Sequence, residues 1–258
     1  MPLPDPSLEP AIRDPKKLRN TALILVGIMV LGGWLITLSY NQWSRTQAKD
    51  DRPAVVYRIT PERDLRMLRQ DGKTVDLVDL RRHVIAIQVM SNKTPQPAEI
   101  SLQVMKRLAT NRAADQNFNL VSLMLDPEPA ETLHAALAST ASSLGATLPQ
   151  WWVGANEADT LQKFIYNQLK ANVSPYQKDG QWIYDGSIVL IDKNGHIRRA
   201  VVPQQHGGSP YIATFDFAEA AEWDANKVKT GTHHNNVGQL EILLNQTIDK
   251  LLAEEFKP

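Results

Sequence analysis

The sequence predicts an α/β domain with a partly parallel sheet, carried on one N-terminal membrane-spanning helix. Three observations predict it. Between residues 84 and 170, short runs rich in Val, Ile and Leu alternate with amphipathic helical patterns, the order that gives parallel strands joined by crossover helices. Two later runs, residues 187–192 and 196–202, are separated only by Lys193, Asn194 and Gly195, which favours an antiparallel hairpin. Residues 21–40, TALILVGIMVLGGWLITLSY, carry no charge, and about 20 apolar residues are enough to cross a bilayer core.

Composition narrows the function before any motif does. The 258 residues carry 28 basic and 28 acidic side chains, so no global field draws in nucleic acid. The chain has no cysteine, which excludes disulfides, thiolate metal sites and cysteine nucleophiles.

Taken in order, residues 1–20 form a proline-rich, charged tail, and 21–40 form the span. A cleaved signal peptide would have an apolar region of only ~7–15 residues followed by a small-residue cleavage site, and neither holds here. Arg13, Lys16, Lys17 and Arg19 precede the span, against Arg45, Lys49 and Arg52 after it. That bias places the short tail inside and the large domain across the membrane, in a periplasm or a mitochondrial intermembrane space. Trp34, Tyr40 and Trp43 suit the far interface. Residues 41–53 read as a polar linker, 54–203 as the α/β domain, and 204–258 as an irregular extension closed by an amphipathic helix.

Within the domain, residues 65–77 read as a hairpin turning at Asp71–Gly72. Residues 84–90, VIAIQVM, form a central strand buried on both faces. The helix that follows starts near Pro97, whose missing N–H costs nothing in a first turn, and carries its apolar stripe on Ile100, Val104, Met105 and Leu108. Residues 118–125 are a second buried strand and 129–144 an alanine-rich helix. Trp151–Trp152–Val153 is a short strand and 157–170 a helix. After the hairpin, residues 203–237 look irregular; from Gly238, Leu240, Leu243, Leu244, Ile248, Leu251 and Leu252 share one helical face. This order is a thioredoxin-like layout. It places a polar loop, residues 91–97, between a buried strand and a helix N-terminus, where backbone N–H groups stabilise anions and lower thiol pKa values.

Several segments carry a more specific resemblance: DGKTVDLVDLRRHVIAIQVM, the PAEI helix start, LVSLMLDPEPAETL, Trp152 to Ala155, and VLIDKNGHIRRA. In that order and spacing, over roughly residues 57–202 plus the anchor and final helix, the chain resembles the Sco (SenC-type) copper chaperones of cytochrome c oxidase assembly. The resemblance implies a thioredoxin-like domain outside a single membrane anchor, and a copper site of two cysteines and a distal histidine. Aligned on Pro97-Ala98-Glu99-Ile100, Asn92 and Gln96 stand at the two cysteine positions, and Tyr184 and Asp185 stand where the distal histidine is expected. None of these side chains is a soft ligand for Cu(I) or exchanges a disulfide. The copper site is not carried over.

The expectation is therefore a Sco-like protein that is not an enzyme and has no cofactor. It would act by protein binding as an assembly or accessory factor of a respiratory, cytochrome oxidase-type membrane complex, with the lipid bilayer held through residues 21–40 and no nucleic-acid partner. The alternative is a copper or zinc carrier using His206, His233 and His234, although adjacent histidines are common in surface loops. His83, His134 and His196 are isolated and read as structural or exposed. Asp126, Glu128 and Glu131 form an acidic group best explained by the helix N-terminus beside them. Of Trp151, Trp152, Trp182, Tyr176 and Tyr184, at least two are expected in the core, with the rest free to form an amphipathic surface.

Overall fold

A computed structural model describes residues 15–47, 52–126, 128–202, 210–227 and 236–256. Helix α1 (Pro15–Gln47) includes a stretch, Pro15–Gln42, long and apolar enough to cross a membrane. None of that stretch is buried by the protein, so its apolar surface is exposed. The helix takes in residues 15–20, expected as tail, and 41–47, expected as linker.

The domain is built on a nine-stranded mixed sheet. Its centre is β4 (Val84–Met90), every residue of which is buried: six of the seven are apolar, and the seventh, Gln88, donates a side-chain hydrogen bond to Ala98 O. β4 runs parallel to β5 (Phe118–Met124) from Val84 opposite Phe118 to Met90 opposite Met124. β5 in turn runs parallel to β6 (Trp151–Ala155). Helix α2 (Glu99–Asn111) links β4 to β5 and buries Ser101, Val104, Met105 and Leu108. Helix α3 (Ala130–Leu144) links β5 to β6 and packs on β6. On the other side of β4 lie β9 (Ile188–Ile191) and β10 (His196–Val202), each antiparallel to its neighbour. Helix α6 (Val237–Ala253) then packs on β4 and β10 through Leu240, Leu244, Ile248 and Leu251. A β4–α2–β5 crossover, a returning antiparallel hairpin and a closing helix, with strand order β10-β9-β4-β5, make the fold thioredoxin-like.

The hairpin expected at residues 65–77 is β2 (Arg66–Arg69) with β3 (Thr74–Asp76), joined through Gly72 at φ 78. That positive φ explains the glycine. The hairpin extends the sheet beyond β6. Helix α4 (Ala158–Asn167) lies within the span expected for it.

Some elements were not expected. β1 (Ala54–Arg58) pairs antiparallel with β10. β7 (Tyr176–Lys178) and β8 (Gln181–Ile183) form a separate two-stranded hairpin. Residues 203–237, expected to be irregular, hold β11 (Tyr211–Ala213), which pairs with β10, and α5 (Phe217–Ala225). Asp216 caps α5 by accepting from the Glu219 N–H at 3.0 Å. Ala213, Phe215 and Phe217 are buried in the same core as β4, so this extension completes the domain.

Candidate functional site

The loop after β4 is the candidate site, and its shape follows from where its polar groups are satisfied. Ser91 donates its hydroxyl to Asp126 Oδ1 at 2.7 Å, and the Asn92 N–H donates to Asp126 Oδ2 at 2.5 Å. Asp126 is buried at the end of β5, so one carboxylate fixes the first two residues of the loop. The Thr94 N–H donates back to Ser91 Oγ at 3.0 Å. Pro97 sits in a 3-10 turn (Gln96–Ala98) immediately before α2, where the Ala98 N–H donates to Pro95 O at 3.0 Å. Gln88, in mid-strand, donates to Ala98 O at 2.8 Å and ties the turn to the sheet.

The segment before β9 closes the loop from the other side. Tyr184 is buried and donates its hydroxyl to Thr94 O at 2.8 Å, while the Trp182 N–H donates to Thr94 Oγ1 at 3.0 Å. Burial pushes the Tyr184 hydroxyl up to about 12, opposed by the backbone N–H groups of Ser91 and Ala98. Two residues on, Gly186 lies so close to the Pro97 carbonyl that no Cβ could fit between them.

The residues expected at the ligand positions therefore separate. Asn92 donates through its side chain to Thr140 Oγ1 at 2.8 Å and to the Met124 sulfur at 3.6 Å. Gln96 is exposed at the start of the 3-10 turn. Tyr184 reaches the loop, whereas Asp185 turns to accept from the Asn172 and Ser187 N–H groups at 2.7 and 2.9 Å. The amides and the phenol are hard donors, so this set does not fit Cu(I). Among the described residues, no group of three or more His, Cys, Asp or Glu could hold a metal ion. His206, His233 and His234 lie outside the described residues.

The other expectations resolve individually. Trp151, Trp152, Trp182 and Tyr184 are core, and Tyr176 is exposed. Glu131 lies in the first turn of α3, while Glu128 faces Lys93 at 3.7 Å. His83 pairs with Asn119 at 2.5 Å and His196 with Asp192 at 3.3 Å. Asp126, Ser91 and Thr94 were missed as determinants of the loop. The signal available was a small polar pair directly after one buried strand and an acid directly after its parallel neighbour. A cavity of about 860 Å³ lies at the β1–β10 margin, lined by residues that include Arg52, Val55, Asp192, His196, Arg198 and Ile212. Arg198 there bonds Asp192 and Glu254, both at 2.7 Å, so its guanidinium is bound within the protein.

The sequence has no significant match to a protein-family model or to a curated protein. The structure is similar to solved Sco proteins. One is a SCO1/SenC family lipoprotein from Bacillus anthracis, 18% identical, covering 73% of this chain and 92% of that one with a TM-score of 0.48. Arabidopsis thaliana ScoI, solved with copper bound, is 10% identical over 72% of this chain and 95% of that one, with a TM-score of 0.46. Bradyrhizobium japonicum ScoI, also with copper bound, is 20% identical over 63% and 96%, with a TM-score of 0.43. Sco proteins, the resemblance drawn from the sequence, are thus among the structures to which the chain is similar.

Proposed function

We propose that the protein is a membrane-anchored, Sco-like thioredoxin-fold protein without catalysis, acting by protein binding as an assembly or accessory factor of a respiratory, cytochrome oxidase-type membrane complex. The observation that carries this reading is the 91–97 corner. Its chain path is held by Asp126 and Tyr184, yet the positions aligned with metal ligands carry Asn92, Gln96 and Tyr184, and the chain has no thiol. A corner kept in shape without its reactive groups suits a binding surface better than a reaction centre. The long uncovered apolar helix supports the anchor, and the sequence segments that resemble those of Sco proteins support the class of complex.

The test is affinity purification of the tagged full chain from its own membranes in mild detergent, followed by reduced-minus-oxidised haem spectra. A haem-containing complex should co-purify in stoichiometric amount. A preparation free of haem proteins, or one that binds Cu(I) tightly at one equivalent, would end this reading.

A further inference from the structure

We propose that the end of the sheet carrying the 91–97 corner rests on the lipid surface, so that the corner faces the bilayer. The inference rests on the reading of α1 as a membrane span and adds an orientation to it. The strand registers supply the first argument. Val55, Arg198, Leu190 and Ala86 form one row across β1, β10, β9 and β4, and Tyr57, Ile197, Ile191 and Ile85 form the adjacent row. Moving from the second row to the first runs backward along β1 toward Pro53 and forward along β4 toward Met90. The chain therefore enters the sheet from its anchor at the same end at which β4 delivers the loop. β4 is three strands from β1, about 15 Å at normal strand spacing.

Chain length supplies the second argument. α1 ends at Gln47 and β1 begins at Ala54, a connection that spans at most about 25 Å when fully extended. The helical residues 41–47 add about 10 Å beyond the apolar run. The end at which the chain enters the sheet is therefore the end that the tether holds nearest the membrane.

The side chains at that end supply the third. The β7–β8 hairpin, which touches the loop through Trp182, exposes Tyr176 at 49% and Ile183 at 37%. β11, whose Tyr211 lies opposite Val202 further along the same direction of β10, exposes Tyr211 at 43% and Ile212 at 48%. Tyrosines beside exposed aliphatic side chains suit the zone between headgroups and acyl chains, where an amphipathic ring buries its body and keeps its hydroxyl wet. A membrane protein approaching the corner would meet it at the bilayer surface.

The absence of native cysteine makes the test direct. Ile183→Cys and Tyr211→Cys place a single dye at the entry end, and Gln116→Cys places one on the exposed turn before β5, at the opposite end. Each full chain is reconstituted into phosphatidylcholine vesicles with and without a headgroup-quencher lipid. Quenching at 183 and 211 should exceed that at 116 by at least twofold. Equal quenching at the three positions in chains that float with the vesicles would overturn the orientation and leave the anchor standing. Loss of the chain from vesicles in a carbonate wash would overturn the anchor and the orientation together. Labels at 183 and 211 that stay unquenched in lipid, and become shielded only when membrane extract is added, would replace lipid by a protein as the occupant.

Discussion

The Tyr184 hydroxyl donates to the carbonyl of Thr94 across 2.8 Å and joins the segment before β9 to the loop after β4. These residues are far apart in sequence, yet the bond closes the corner at the position where the Sco resemblance places a distal metal ligand. The phenol thus fills with a structural contact the place expected for a reactive one.

Replacing Tyr184 by Phe keeps the ring and leaves the buried Thr94 carbonyl without this donor, which should cost about 1–3 kcal/mol in denaturant unfolding. The pH dependence has a definite sign. The folded hydroxyl is pushed up to about 12 from an unfolded value of 10.0, so between these values the unfolded state binds fewer protons. The stabilisation is complete below pH 10 and is lost as pH rises toward 12. Tyr184→Phe should therefore show a shallower alkaline decline than the parent chain over that window; parallel curves would contradict the assignment.

Asp126→Ala should loosen the loop from its first residue. Ser91 Oγ and the Asn92 N–H both lose their acceptor, and leaving two donors unmatched near a buried site should cost roughly 2–5 kcal/mol. Amide hydrogen exchange gives the local readout. Asn92 and Thr94 should lose protection by more than the global loss of stability explains, and protection that falls uniformly across β4 and β5 would count against this role.

The long buried strands were legible because their composition already specifies them: seven apolar-dominated residues in VIAIQVM leave few alternatives to a central strand. The amphipathic helices were legible from spacing for the same reason. β1, β7, β8 and β11 were not, since each is a short strand with exposed residues, and their pairing is set by what lies beside them. The corner was legible as a loop before a helix, and the ligand positions expected in it could be placed only through the resemblance. The Asp126 clamp and the Tyr184 contact were not, because both depend on which residues of distant segments become neighbours.

Gly186→Ala should be among the most damaging small substitutions in the domain. A Cβ at this position would overlap the Pro97 carbonyl and crowd the Ala98 nitrogen, and both are backbone atoms that cannot rotate away. The segment would have to lift off the corner, breaking the Tyr184 and Trp182 contacts to Thr94 with it. A loss of about 3 kcal/mol or more in denaturant unfolding is expected, with poor soluble expression as its cruder sign. A variant of near-parental stability would show that the close approach is not required.

Arg198 is a position where a single change should separate parts of the molecule. It is buried, donates to Pro53 O at 2.8 and 3.1 Å, and pairs with Asp192 at 2.7 Å and Glu254 at 2.7 Å. One guanidinium thereby holds the chain entering β1, the hairpin end of β9 and the chain leaving α6. Arg198→Ala leaves the buried Asp192 carboxylate without its cation, and removing one partner of a buried pair costs about 3–5 kcal/mol. Arg198→Lys keeps the charge but cannot reproduce the planar fork that reaches three partners, so it should recover only part of the loss. The distinguishing measurement is limited proteolysis. If Arg198 ties both chain ends to the core, Arg198→Ala should be cut first near residues 48–55 and after 253, under conditions where the parent chain and β4–β5 stay intact; cleavage beginning inside α2 or α3 would refute the tie.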